Sequence, residues 1–369
     1  MGASSTPRRL IMHPWAWWAW ALGVAAAVSM TTNPLLLALI ALGLIAVILL
    51  RRTDAPWARS VAAYFVLAGV IIGIRLFFQV LLGGSVGGTV ILTLPEIRLP
   101  AWAAGIRLGG AVTAEGLAWA VYDALRLSVM LLCLGAANSL ANPRQALRSV
   151  PAALYEASVA VVIALSVAPQ LVESTQRVRR ARRLRGGTSS GLGTVTAVVI
   201  PVLADAIDRS LRLAAGMEAR GFGRSRTGQG TSAALTAMLA AAALAATVGV
   251  FLLLGAPEFT AAGAGMLLAG ILGTVLGLRR SGRALGVTRY RPQPWTGRDT
   301  LLAVCGATAA AAPALATASG RPALFDAFNP SVNPLVWPTL HGVMIPVVAM
   351  VLAPLAVTSP PGASSRRVS

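Results

Sequence analysis

The residues best placed to do chemistry in this chain are arginines at the ends of two helix-like segments, and that chemistry is recognition. The first segment closes on Ala181-Arg182-Arg183-Leu184-Arg185-Gly186, the second on Glu218-Ala219-Arg220-Gly221. Glycine directly after the last helical residue is a C-cap signal, so each helix stops just after its arginine. The C-terminal end of a helix carries partial negative charge, which favours a cation and aims it outward. A guanidinium is planar, permanently charged and suited to carboxylates and carbonyls in a socket. Arg185, Gly186, Ala219, Arg220 and Gly221 are therefore the candidate partner-binding residues. Ala181, Arg182, Leu184 and Glu218 flank them as auxiliary candidates.

A second polar group lies inside apolar stretches: Arg75 in one, Asp123 and Arg126 in another. An ion within a membrane segment is costly and turns towards protein. Arg75 then pairs with Asp123, with Arg126 near the same depth, as a structural intramembrane ion pair. The competing reading is a substrate or proton path, which would want several such sites. The later apolar stretches carry almost none.

No catalytic set emerges. His13 and His341 are far apart and have no second metal ligand nearby in the sequence. Cys133 and Cys305 are isolated in apolar runs and read as small buried residues. Asp205 and Asp208 lack a nucleophile and read as salt-bridge partners for Arg209 or Arg212. The five arginines Arg177, Arg179, Arg180, Arg182 and Arg183 form a run that fits either a partner or anionic lipid. Nucleic acid is the weakest fit, because no aromatic platform interleaves these arginines.

Composition places all of this in a membrane. The chain has 369 residues, 56% hydrophobic and 12% charged, against about 25% charged in soluble domains. Its net charge of +19 comes wholly from arginine, since lysine is absent. A Walker A loop needs a lysine on the phosphates, so this chain carries no P-loop of its own. The Gly-rich stretch 186–191 is a linker.

Taken in order, an apolar, Trp-rich run over 15–30 is broken at Asn33-Pro34 and followed by a second over 35–50. Arg8 and Arg9 precede the first run, which lacks a small-residue cleavage site and reads as a span with a cytoplasmic start. Further spans are expected over 60–82 and 112–137, with 83–109 as an outer loop. From 138 to 230 the sequence has 13 arginines against five acids. The positive-inside rule places this segment on the cytoplasmic face, with the apolar stretch 152–168 packed on or under the membrane region. Pro169 is expected to kink that helix, and the second basic helix is expected to resume at Ile200-Pro201. A hairpin over 232–278 and two spans over 299–318 and 335–357 follow. The expected fold is an all-α polytopic membrane protein of about eight transmembrane helices with a cytoplasmic helical region. Its parts are 1–137 with four spans, 138–230 with the basic helices, and 231–369 with the hairpin and two further spans.

These residues resemble the transmembrane T component of energy-coupling factor transporters over nearly the whole chain. The resemblance begins with His13-Pro14 and Asn33-Pro34. It continues through Leu127-Ser128 and Asn142-Pro143-Arg144-Gln145-Ala146-Leu147 to the two Arg-Gly helix ends. Family members typically carry Ala-Arg-Gly at both places; here the first has Leu184 where Ala is usual. The hairpin over 232–278 looks like an insertion. The resemblance implies a transport subunit that is not an enzyme and binds no cofactor itself. Two ABC ATPase subunits, which hold ATP and Mg, would grip Arg185 and Arg220. A substrate-binding S component would dock on the same helices and carry a vitamin or transition-metal ion across the cell membrane. Both termini would be cytoplasmic. The alternative from the residues alone is a self-sufficient secondary transporter or membrane enzyme built around the charged site.

Overall fold

The computed structural model describes residues 12–52, 61–82, 87–98, 107–149, 155–186, 192–222, 233–255, 257–284 and 293–358. The chain divides into two compact units, Met1–Ala146 with Gln293–Ser369, and Leu147–Pro292.

The first unit is built on helices α1 (Pro14–Ser29), α2 (Pro34–Arg51), α3 (Val61–Leu82) and α4 (Ala114–Leu140), followed by the short α5 (Pro143–Arg148). In both sequence motifs at its start, the residue before proline caps a helix whose first position the proline occupies, where a missing N–H costs nothing. His13 accepts from the Trp15 N–H through its ring nitrogen at 3.3 Å. Asn33 does more. Its Oδ1 accepts from the backbone of Leu35 and Leu36 at 3.0 and 3.4 Å, and its Nδ2 donates to the carbonyls of Ala327 and Thr339 at 2.9 and 3.0 Å. All four hydrogen-bonding positions of one buried amide are thus satisfied, which ties the start of α2 to the chain some 300 residues on.

In the second unit lie α6 (Tyr155–Leu184), α7 (Leu192–Ala219), α8 (Ala233–Gly255) and α9 (Thr260–Ala284). The chain then re-enters the first unit with α10 (Gly297–Ala318), α11 (Pro322–Phe328) and α12 (Ile345–Leu352). Among the described residues, α2, α3, α4, α6, α8, α9 and α10 are long and apolar enough to cross a membrane. α1, with 16 residues, and the final apolar segment Gly342–Val357 are shorter. The protein is an all-α, multi-pass membrane protein.

The core of the first unit gathers Trp20, Val24, Leu36, Leu37, Ile40, Leu44, Cys133, Leu302 and Val351 from α1, α2, α4, α10 and α12. Close approach at its centre depends on two glycines. A Cβ on Gly306 would lie 2.6 Å from the Trp20 Cα, and one on Gly23 would lie 2.3 Å from the Gly306 carbonyl carbon. Backbone cannot give way, so glycine on both sides is what lets α1 and α10 touch. Trp20, fully buried, donates its indole N–H to the Met350 carbonyl at 3.2 Å.

Asp299 fastens the starts of α1 and α10 together. Its Oδ1 accepts from the His13 N–H at 2.7 Å, and its Oδ2 accepts from the Thr296 N–H and hydroxyl at 2.8 and 2.6 Å. The His13 ring tilts against Trp295 at 5.2 Å. Burial pushes the imidazole below its ordinary value, against the opposing pull of Asp299. The sign follows from linkage. Above about pH 6.5 both folded and unfolded His13 are neutral; as pH falls, the unfolded chain takes the proton first, and stability drops until the folded value is passed. Thermal unfolding of the detergent-solubilised protein is expected at lower temperature near pH 5.5 than near pH 7.5. The His13→Asn variant, which keeps a cap, should lose that part of the difference. An unchanged difference in His13→Asn would assign the acid sensitivity to other groups.

Two segments depart from expectation. The outer loop expected over 83–109 is, where described, an antiparallel pair of strands, β1 (Val90–Arg98) and β2 (Arg107–Thr113). Val90, Ile91 and Thr93 supply β-branched residues. Pro95, which has no N–H to give the ladder, falls in the irregular step between Leu94 and Ile97. Gly109 and Gly110 have φ of +87° and +104°, and a side chain at Gly109 would run into the Pro95 carbonyl. Second, α7 begins at Leu192, with Pro201 well inside it and not at its start, while Pro169 lies within α6, where the kink is expected. The apolar run Val195 to Val199 carries α7 upstream of its proline.

In the second unit, α8 and α9 pair through glycine. A Cβ on Gly249 would lie 2.5 Å from the Leu267 nitrogen, and one on Gly270 would lie 2.4 Å from the Ala246 nitrogen. The hairpin is a close backbone-to-backbone pair of the kind small residues permit between membrane helices.

Candidate functional site

Both arginine-bearing helix ends are capped by a glycine in the left-handed region, Gly186 at φ +76° and Gly221 at φ +75°. At the end of α7 the Gly221 N–H donates to the Glu218 carbonyl at 2.8 Å and the Phe222 N–H to the Met217 carbonyl at 3.0 Å. That pair of bonds is a complete Schellman motif. At the end of α6 the Gly186 N–H donates to the Arg183 carbonyl at 3.2 Å, the equivalent inner bond. Arg185 and Arg220 therefore occupy the same position, the C-cap, at the negative end of each helix. Nothing lies within 4 Å of where a Cβ would stand on Gly186 or Gly221. Their requirement is conformational, because other L residues strain at that φ.

The side chains at these ends point away from the unit. Ala181, Leu184, Arg185, Glu218, Ala219 and Arg220 are exposed, and Leu184 reaches 90% exposure. Arg182 is half-buried. Among the described residues, neither Arg185 nor Arg220 has an ion-pair partner. Two permanently charged, five-donor forks thus stand unpaired on rigid helix ends.

A polar clamp sets where those ends go. Ser174, buried on α6, donates to Asp205 Oδ2 on α7 at 2.9 Å. Arg209, one turn on, donates to the same oxygen at 2.8 Å and to Gln170 Oε1 on α6 at 2.7 Å. The Ser174 hydroxyl, with help from Arg209 and against burial, holds the Asp205 carboxyl below the usual carboxylate range. Asp205 preceding Arg209 by four residues is the favoured order on a helix.

Ser174 to Arg185 and Arg209 to Arg220 are each 11 residues, about 16 Å of helix. Chain length decides the direction. If α6 and α7 ran parallel through the clamp, Leu184 and Leu192 would be about 35 Å apart. Eight residues fully extended span at most about 29 Å. α7 therefore runs back past α6 to the clamp and continues beyond it. Arg185, 11 residues beyond Ser174, and Arg220, 15 residues beyond Asp205, lie on arms that leave the crossing in different directions, up to about 40 Å apart.

Along α7 the apolar residues Val195, Val199, Leu203, Ile207 and Leu211, spaced four apart, are each more than half exposed. A continuous apolar stripe of this kind marks a contact surface for lipid or protein.

The charged residues within the spans are also brought together. Asp123 on α4 lies 2.5 Å from an Arg75 guanidinium nitrogen on α3 and 2.7 Å from one of Arg126, a turn further along α4. Among the described residues, no group of three His, Cys, Asp or Glu side chains converges on a point. Sequence reading missed the clamp between Ser174 and Asp205. Its signal was faint: two polar pairs spaced four apart, Gln170 with Ser174 and Asp205 with Arg209, each on an otherwise apolar or basic helix.

No curated protein matches the chain. The family model described as CbiQ, cobalt transport protein, matches residues 11–232, more than half of the sequence. That span takes in α1 to α7 and both capped arginines, and ends before α8. With the membrane-spanning helices, the two Arg-Gly ends and this match together, the chain belongs to the CbiQ family, the T-component family of energy-coupling factor transporters, and is a membrane transport component.

Proposed function

We propose that this protein couples two ABC ATPase subunits to a substrate-binding S component in an importer of the cell membrane. The observation that carries the reading is the pair of unpaired arginines, Arg185 and Arg220, held at equivalent capped positions on two divergent arms. Two ATPases, one per arm, fit that arrangement. Each socket would receive one guanidinium, with Gly186 and Gly221 shaping the helix end and Ala181, Arg182, Leu184, Glu218 and Ala219 at its edge. ATP and Mg belong to the ATPases; their closure would drive the arms together or apart. The clamp of Ser174, Asp205, Arg209 and Gln170 would transmit that motion without letting the helices slide. The apolar stripe of α7 would carry the S component, which holds a transition-metal ion or vitamin. The termini lie on the cytoplasmic side with the ATPases.

The test is purification of the tagged chain from detergent-solubilised native membranes. Two ATPase chains recovered with it in defined proportion support the reading, and a chain recovered without any ATPase overturns it.

A further inference from the structure

The ion cluster of α3 and α4 does not close on itself. Arg75 and Arg126 bring two positive charges to the single carboxylate of Asp123, leaving an excess of one. The nearest acid on α4, Glu115, is engaged elsewhere, accepting from the Thr89 N–H at 2.9 Å. A guanidinium has five N–H donors. Among the described residues, each fork spends one nitrogen on Asp123, Arg75 on Oδ2 at 2.5 Å and Arg126 on Oδ1 at 2.7 Å, and the rest of their donors meet no other side chain.

The excess charge lies deep. Arg75 is seven residues from the end of α3, about 10 Å, and Arg126 is twelve residues into α4, about 18 Å. The hydrocarbon core is about 30 Å thick. Long cationic side chains usually escape by reaching to the interface, but these two are drawn to Asp123 instead. Their side chains remain 42% and 31% exposed. Around them α3 presents Val70, Ile74, Phe77 and Phe78 outward, and over 62–82 the one residue it buries is Ala68.

We propose that this face of α3 and α4 is the docking surface for a partner's transmembrane helix carrying one Asp or Glu at the depth of Arg75 and Arg126. The partner is the S component of the reading above, on which this identification rests. A carboxylate there neutralises the excess and fills the empty donors. A lipid phosphate would have to sink 10 Å or more below its own interface to do the same, and the apolar side chains around the arginines suit a helix rather than a headgroup.

The probe is a synthetic Leu/Ala transmembrane helix with a single Glu placed about 10–18 Å from its end, compared with its Gln twin. Association with the full chain is read by energy transfer in phosphatidylcholine proteoliposomes. The Glu helix is expected to bind roughly three- to fifteen-fold more tightly than the Gln helix. Arg126→Gln, which makes the cluster neutral, should erase the preference, and Arg126→Lys should keep it. Equal binding of the two helices overturns the proposal. A preference that survives Arg126→Gln, or is lost in Arg126→Lys, overturns it too. So does its disappearance when phosphatidylglycerol is added, which would give the site to lipid. ATPase recovery by Arg126→Gln from native membranes is expected to be unchanged; its loss would show that Arg126 holds the fold and not a partner. If ATPases are recovered but the Glu helix is ignored, the docking surface alone falls. If the Glu helix is preferred but no ATPase is recovered, the coupling reading falls.

Discussion

Carrying Arg185→Glu and Arg220→Glu together, the chain is expected to reach the membrane at normal levels and, on the proposed coupling role, to recover no ATPase. Both residues are exposed C-caps, so neither supports a core, and the helices should form around the changed side chains. The reversal acts twice at each end. It removes a charge-assisted, bidentate donor from the proposed socket. It also places an anion at the negative end of a helix, adding local repulsion of about 0.3–1 kcal/mol. Truncating one member of a buried interfacial charge pair commonly costs 2–5 kcal/mol, on the order of 30- to several-thousand-fold in affinity. With two sites lost, recovery of ATPase should fall below detection, and ATP-driven uptake with it.

The single variants sharpen the result. Because the arms diverge from the clamp, each arginine would serve a separate ATPase. Arg185→Glu or Arg220→Glu alone should leave about one ATPase per chain under conditions where the native chain holds two. Loss of both ATPases in each single variant would mean that the pair binds as a preformed unit. Full retention of both ATPases in the double variant would refute the arginine reading outright, whatever happens to transport.

Much of this was legible in sequence because the residues involved answer to local rules. Gly186 and Gly221 follow an amphipathic helix directly, and that alone placed Arg185 and Arg220 at the caps. Arg75 and Asp123 pair on sequence grounds alone, since each is a charge inside an apolar span and little else lies at that depth. What stayed hidden depended on distant partners. Nothing near His13 announces that its backbone N–H will meet Asp299, 286 residues away. The Thr296 and Asp299 spacing signals a helix start, but not that the same carboxylate joins two helices. The touch of Gly23 on Gly306 is likewise a property of packing. The strands were missed for a different reason: Pro95 and the glycines read as loop punctuation, while the β-branched run Val90 to Thr93 is short. The directions of the two arms came from neither source alone, since they needed the observed clamp and the counted residues between.

Replacing Asp123 with leucine is expected to have the largest effect on stability within the first unit. In the native chain its carboxylate, 10% exposed, answers two guanidinium groups. Leucine is larger than aspartate and suits a membrane helix, so a cavity is no part of the outcome. The cost is the pair of positive charges left at one depth on adjoining helices. Breaking a buried ion pair on one side costs about 3–5 kcal/mol. The exposure of Arg75 at 42% argues for the lower end, about 3 kcal/mol. Other ties between α3 and α4 limit the damage: the Ser128 hydroxyl donates to the Ala68 carbonyl at 3.2 Å, and Asn138 donates to the Tyr64 hydroxyl. Asp123→Leu should therefore fold, but unfold at a clearly lower temperature in detergent. The informative comparison is Arg75→Leu/Asp123→Leu, which returns the excess charge to one. Replacing both members of a buried pair with apolar residues is often neutral, so the double variant should recover most of the loss. If Asp123→Leu melts with the native protein, the carboxylate is not what the two arginines depend on. If the double variant melts as low as the single one, the loss came from Asp123 itself and not from the charges it leaves behind.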